Sequence, residues 1–296
     1  MSPDTLPDTR DARPRLSERH NAMLRAMGVN VWWDQAAPQA LAAPAPAAPP
    51  VRSDIPRAEA PQRAPTSPPA PARAPVIPVH PVPSVARAAD PASAGLDREA
   101  LEAAIRACQR CDLGHGRRHA VPGMGDPAPD WLIVGEAPGE EEDRQGLPFV
   151  GRAGQLLDRM LAAMQLSREQ KVYIANVIKC RPPHNRNPSP VEVDQCSPYL
   201  LRQVELLRPR IVLAMGRFAA QTVLGQGGCL PPETLQQMPL GKLRGQVYTA
   251  QLGGLKLPVV VTYHPAYLLR SPADKGKAWA DLCLALRTLE HLPSRA

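Results

Sequence analysis

Four of the six cysteines stand as Cys108-x-x-Cys111, Cys180 and Cys196. Thiolate is a soft ligand, and four thiolates make a closed site for an iron–sulfur cluster or for zinc. One centre holding all four would clamp loops about seventy residues apart in the chain. Cys229 and Cys283 have no such spacing partners and read as plain free thiols. A second set of residues has carboxylate, amide and imidazole groups suited to hydrogen bonding and proton transfer. It comprises Glu136 in Gly135-Glu136-Ala137-Pro138-Gly139, Asn176, and His264 in Tyr263-His264-Pro265.

The elements that must position these groups follow from short apolar runs rich in β-branched residues. Strands are predicted at Trp131–Val134, Val172–Asn176, Ile211–Ala214 and Val259–Thr262. Helices are predicted from Asp97 to about Ala107, then near Ala153–Gln165, Val191–Leu207, Arg217–Leu224 and Ala273–His291. This alternation predicts an α/β fold, a central, mostly parallel four-stranded sheet flanked by helices on both faces. Ligands of such sheets bind beyond the carboxyl ends of the strands. Gly135, Asn176, Gly216 and His264 each fall at or just past one of those ends.

Composition divides the chain. Of 37 prolines, 19 lie in residues 1–95, where Ala, Pro and Arg dominate and apolar periodicity is nearly absent. That stretch is predicted to be a disordered, partly polyproline-II extension, leaving residues 96–296 as the folded domain. Within it, residues 16–35 combine a short helical pattern with Val29, Val31, Trp32 and Trp33. They are expected to form a docking helix and apolar hook for a protein partner. Residues 96–296 hold 25 Lys and Arg against 20 Asp and Glu, a modest basic excess that fits a polyanion partner. With no long apolar stretch and no signal-peptide core, the chain is expected to be cytoplasmic, monomeric and without membrane contact. Reduced thiols then favour metal ligation over disulfides.

Five ordered segments carry a resemblance. They are Gly135 to Asp143, Leu147 to Asp158, Asn176-Val177-Ile178-Lys179-Cys180-Arg181-Pro182-Pro183, Asn185 to Pro188, and His264 to Arg270. Together they resemble the uracil-DNA glycosylase superfamily and, within it, family four, the bacterial and archaeal iron–sulfur enzymes. The resemblance covers about residues 97–290. It implies hydrolysis of the N-glycosidic bond of deoxyuridine in single- or double-stranded DNA, leaving an abasic site for base-excision repair. It further implies a [4Fe–4S] cluster of structural role on Cys108, Cys111, Cys180 and Cys196.

By the same resemblance, Asn176 reads the Watson–Crick edge of a flipped base, Phe149 stacks on it and His264 donates to O2 as charge develops there. Family-one enzymes place an aspartate where Ala137 falls, so Glu136 becomes the candidate for orienting water or stabilising the cationic sugar. Ala137 lines the pocket, and Glu142 at its edge excludes the thymine methyl. DNA contacts are expected from Gly139, Arg181, Asn185, Arg186 and Arg270, with Lys179 adding charge nearby. Leu268 or Leu269 fills the gap left by the flipped base. The alternative is a non-catalytic uracil-DNA-binding or polymerase-associated adaptor on the same fold, favoured by Ala137 and the N-terminal hook.

Overall fold

The computed structural model describes residues 93–293. The expected extension, including the docking segment 16–35, lies outside the described residues apart from 93–95. The fold begins where Asp97 caps α1 (Arg98–Ala107), its carboxylate accepting from the Ala100 amide at 2.8 Å. A short turn of helix, α2 (Leu113–Gly116), follows and leads to β1 (Met124–Gly125). Next come β2 (Trp131–Gly135), α3 (Glu140–Gln145), α4 (Arg152–Ala163) and β3 (Val172–Asn176).

Beyond β3 lies α5 (Pro190–Leu207), opened by a capping box in which Ser189 and Glu192 satisfy each other's backbone amides. Then follow β4 (Ile211–Met215), α6 (Arg217–Gln226), α7 (Pro232–Gln237) and α8 (Leu240–Leu243). The hairpin of β5 (Val247–Leu252) and β6 (Leu255–Thr262) leads to α9 (Pro265–Arg270) and α10 (Lys275–Glu290).

The strand order is β1-β3-β2-β4-β6-β5. The four predicted strands form the parallel centre, β3-β2-β4-β6. The predicted count of four is corrected to six, because antiparallel edges β1 and β5 flank that centre. Every residue of β2, β3 and β4 is buried. That burial explains why these strands read as continuous apolar runs: helices cover both faces of the sheet, so neither face needs polar residues.

Two apolar layers result. Leu132, Val134, Ala175, Val212 and Ala214 pack with Leu101, Ile105, Tyr199, Leu200 and Val204 of α1 and α5. On the other face, Ile133, Ile174, Ile211, Leu213 and Val260 pack with Leu157, Met160 and Leu161 of α4 and Leu282 of α10. The register pairs Gly135 with Asn176. The pairing runs on past the strands, since Val177 and Ile178 donate to the Gly135 and Glu136 carbonyls at 2.9 and 3.2 Å. The two central loops therefore leave the sheet side by side.

Candidate active site

Asn176 ends β3 almost wholly buried, yet its Oδ1 has no hydrogen-bond partner. A buried acceptor left unpaired costs about 1–3 kcal/mol, so such an atom marks a place where a donor arrives. Gly135 lies beside it. A Cβ there would fall 2.4 Å from Asn176 Oδ1 and 2.6 Å from Phe149 Cζ, so only glycine lets the amide and the ring converge.

Phe149 is 5% exposed and sits at φ 53°, a region that costs a bulky residue about 1–3 kcal/mol. The turn carrying it closes against α4: a Cβ on Gly154 would lie 1.7 Å from the Phe149 carbonyl oxygen. This turn conformation places the ring inward beside Gly135. Its centroid is 5.4 Å from that of His264, with the planes tilted by 32°.

His264 follows β6 and caps α9, its Nδ1 accepting from the Ala266 amide at 3.1 Å. Burial, helped by the nearby Arg270 charge, pulls the imidazole pKa from 6.5 down to about 4. The ring is therefore neutral near pH 7. With Nδ1 an acceptor, the proton must be on Nε2, which becomes a donor. Gly216 at the end of β4 permits this placement, since a Cβ there would stand 3.1 Å from His264 Cβ. Amide, aromatic ring and imidazole thus come from the ends of different strands or their loops, with the ring beside both of the others. Glu136 follows Gly135 half-buried, and burial raises its carboxyl above the usual value of 4.5. Ala137 packs against the first apolar layer.

Glu142 has a visible task of its own. One oxygen accepts from the Gly139 amide at 3.0 Å; the other accepts from Val150 at 2.9 Å and Gly151 at 3.0 Å. Both oxygens thus tie the start of α3 to the loop carrying Phe149. Among the residues expected to meet DNA, Arg181 donates to Asn185 Oδ1 at 2.8 Å and pairs with Glu140 at 3.3 Å. Arg186 is committed to Glu192 through two bonds of 2.9 and 2.5 Å. Those bonds push the Glu192 carboxyl down to about 2, so Arg186 braces its loop as a neutralised pair.

Two expectations are corrected. Leu268 is fully buried in the second apolar layer because it faces inward from α9, whereas Leu269 is 38% exposed and Arg270 is exposed. Leu269 alone can leave the protein surface. Lys179 is also buried, so its charge does not reach the surface. Its Nζ donates to the Asn176 carbonyl and to Gln203 Oε1.

Cys108, Cys111, Cys180 and Cys196 line one small cavity beneath α1 and α5. Arg117 donates to Cys180 Sγ at 2.9 Å, and the Lys179 amide donates to Cys196 Sγ at 3.2 Å. Burial raises the Cys180 thiol and pushes Cys196 up to about 12, so a bound metal must displace their protons. Among the described residues, no three His, Cys, Asp or Glu side chains converge closely enough for one metal ion. Four thiols lining a single cavity are a donor set that either zinc or an iron–sulfur cluster takes. Cys229 and Cys283 stand apart from it, Cys229 donating to the Thr249 carbonyl at 3.3 Å.

Two residues of this site were not singled out for these tasks by the sequence. Lys179 reads as another surface cation, although its place three residues after Asn176 on a buried strand end is a signal. Arg168, which binds the Phe149 carbonyl, lies in a polar Ser-Arg-Glu-Gln turn that carries no signal.

A family model described as the uracil DNA glycosylase superfamily matches residues 122–283. A type-4 uracil-DNA glycosylase of Archaeoglobus fulgidus is 44% identical over 177 residues, covering 60% of this chain and 85% of that protein. The type-4 uracil-DNA glycosylase of Pyrobaculum aerophilum is 40% identical over 189 residues, covering 64% and 93%. That of Thermotoga maritima is 39% identical over 177 residues, covering 60% and 85%. With the parallel sheet and the five ordered motifs, three of them at its strand ends, these matches show that the chain belongs to the uracil-DNA glycosylase superfamily, among its type-4 members.

Proposed function

We propose that this protein is a monofunctional uracil-DNA glycosylase that hydrolyses the N-glycosidic bond of deoxyuridine and leaves an abasic site for base-excision repair. The observation that carries the reading is the unpaired, buried Oδ1 of Asn176 beside the Phe149 ring. Uracil N3–H supplies the missing donor, and the Asn176 amide N–H donates to O4. Cytosine reverses both groups and leaves both contacts unmade, a loss of roughly 1–3 kcal/mol each. Phe149 stacks on the extruded base.

As the bond from C1′ to N1 breaks, the electron pair leaves with uracil and negative charge grows at O2. The Nε2–H of neutral His264 donates there, a contact that strengthens toward the transition state. Glu136 orients the water that adds to C1′ and offsets the cationic character of the sugar. Glu142 limits the pocket edge against the thymine methyl while holding the Phe149 loop. Gly139, Arg181, Asn185 and Arg270 meet the DNA backbone, and Leu269 enters the gap in the stack.

Cys108, Cys111, Cys180 and Cys196 are the residues that would hold a [4Fe–4S] cluster. When bound, the cluster supplies a covalent tie between α1, the segment after Asn176, and α5; hydrolysis needs no electrons from it. Among the described residues no helix is long and apolar enough to cross a membrane.

Ala137, standing where family-one enzymes have aspartate, favours one second reading: a uracil-DNA binder without catalysis. A single test separates them. Purified protein is incubated with end-labelled single- and double-stranded oligonucleotides bearing one uracil, then treated with alkali. Cleavage at uracil and not at thymine is expected. Tight binding with intact strands would establish the binder, and neither binding nor cleavage would overturn both readings.

A further inference from the structure

The strained turn at Phe149 is held from behind by one side chain. Arg168 lies in the turn after α4 with only 13% of its side chain exposed. Its guanidinium donates to the Pro148 carbonyl at 2.9 Å and to the Phe149 carbonyl at 2.5 Å. A longer contact of 3.5 Å reaches the Gly154 carbonyl on the first turn of α4. The Nε edge pairs with Asp158 on α4 at 2.5 Å. One planar fork thus joins both peptide units flanking the strained residue to the helix behind them. A lysine ammonium in the same place lacks the second, parallel donor edge.

We propose that Arg168 is a positioning residue for base recognition: it holds the left-handed turn at Phe149 and so keeps the stacking ring over Gly135. The strained φ of 53° does not persist by itself, because left-handed backbone at a bulky residue survives only where its surroundings fix it. On the carbonyl side that fixing comes from Arg168. On the amide side it comes from Glu142, which accepts from Val150 and Gly151. Arg168 meets Phe149 through its main-chain carbonyl and not through the ring. Its effect on a substrate must pass through Phe149, which gives the proposal a distinctive signature.

The inference rests on the uracil-excision reading, and the test separates the two. Arg168→Lys, Arg168→Ala, Phe149→Ala and the double variant Phe149→Ala/Arg168→Ala are compared on a uracil oligonucleotide. In the wild-type background, Arg168→Ala is expected to lower kcat/KM by about 10- to 100-fold, as sub-ångström misplacement does, with KM changing more than kcat. In the Phe149→Ala background the same change is expected to have almost no effect. Arg168→Lys, the safeguard against a variant that fails to fold, is expected to retain part of the activity.

Equal losses in both backgrounds would show a general structural role and overturn the proposal, as would an unaffected Arg168→Ala. Amide exchange over residues 149–154 supplies a readout without catalysis. Faster exchange there in Arg168→Lys, at unchanged melting temperature, supports the clamp even if the wild type leaves uracil DNA intact, an outcome that would overturn only the functional reading. Unchanged exchange overturns the clamp.

Discussion

The ammonium of Lys179 stands 2.8 Å from the main-chain carbonyl of Asn176 and 2.7 Å from Gln203 Oε1, with 1% of the residue exposed. Gln203 in turn donates to the Pro122 carbonyl at 2.8 Å. The residue that presents its amide to the pocket is therefore held by its own backbone from a buried cation one turn away. Burial lowers the Lys179 pKa to about 8. Replacing it by methionine leaves two buried acceptors unpaired.

Lys179→Met is expected to destabilise the protein by about 1–3 kcal/mol, a fall of roughly 2–12 °C in Tm for a domain of this size. It is also expected to lower kcat/KM, because the carbonyl that anchors Asn176 loses its donor. Thermal unfolding and steady-state kinetics on the same preparations check both. A variant as stable and as active as the wild type would show that the anchor is unnecessary.

Neutral His264 sets a pH dependence whose sign is fixed. Its folded pKa of about 4 lies below the ordinary 6.5, so the unfolded chain binds the extra proton first as pH falls. The contribution is fully present above about pH 6.5 and is lost progressively down to about pH 4, amounting to roughly 3 kcal/mol. His264→Gln is expected to flatten the stability curve in that window relative to the wild type and to slow excision severely. Denaturant unfolding at closely spaced pH values measures the difference. The rate profile of the wild type should carry no inflection from this histidine near 6.5.

Glu136 predicts an acid limb in the rate itself. Its carboxyl is raised above 4.5 by burial, so the charged form proposed to orient water is lost as pH falls through that raised value. Single-turnover rates across acid pH should decline with protonation of one group. Glu136→Gln should act slowly at every pH and lack that decline. A decline that survives the substitution would assign it elsewhere.

Adjacent leucines on α9 should part company. Leu268 is fully buried, and Leu268→Ala is expected to cost about 2–5 kcal/mol of stability. Leu269 is exposed, and Leu269→Ala should change stability by less than about 0.5 kcal/mol. The second variant should lose activity on double-stranded DNA far more than on single strands, where no stack needs filling. Equal losses on both substrates would remove Leu269 from the wedge role.

The parallel centre was legible because its strands are buried on both faces and so read as apolar runs such as Trp131–Val134 and Ile211–Ala214. The edges were harder. β1 is two residues long, too short for any pattern. β5 did carry a signal: residues 247–252 alternate in burial toward their end and run into Gly253-Gly254, both at positive φ, a tight hairpin turn.

Asn176, Phe149 and His264 were singled out through their motifs, and the structure places the Phe149 ring near both of the others. What sequence could not distinguish was which of two neighbouring leucines faces outward, since that depends on the rotation of a six-residue helix against α4. The same holds for Arg186 and Arg168. A cation's partner is set by tertiary approach, and nothing local separates an arginine that meets phosphate from one that braces a loop.

The four thiols around one cavity also impose an order on how the molecule is made. Cys108 and Cys111 precede Cys196 by 88 and 85 residues. At ordinary translation speeds the first pair waits roughly 4–18 s before the last thiol exists. During that interval a nascent chain holds an open pair of soft ligands and no means of closing on a cluster. With the proposed [4Fe–4S] cluster in that cavity, the yield of finished protein should follow iron supply and oxygen exposure during synthesis, as well as the abundance of its message.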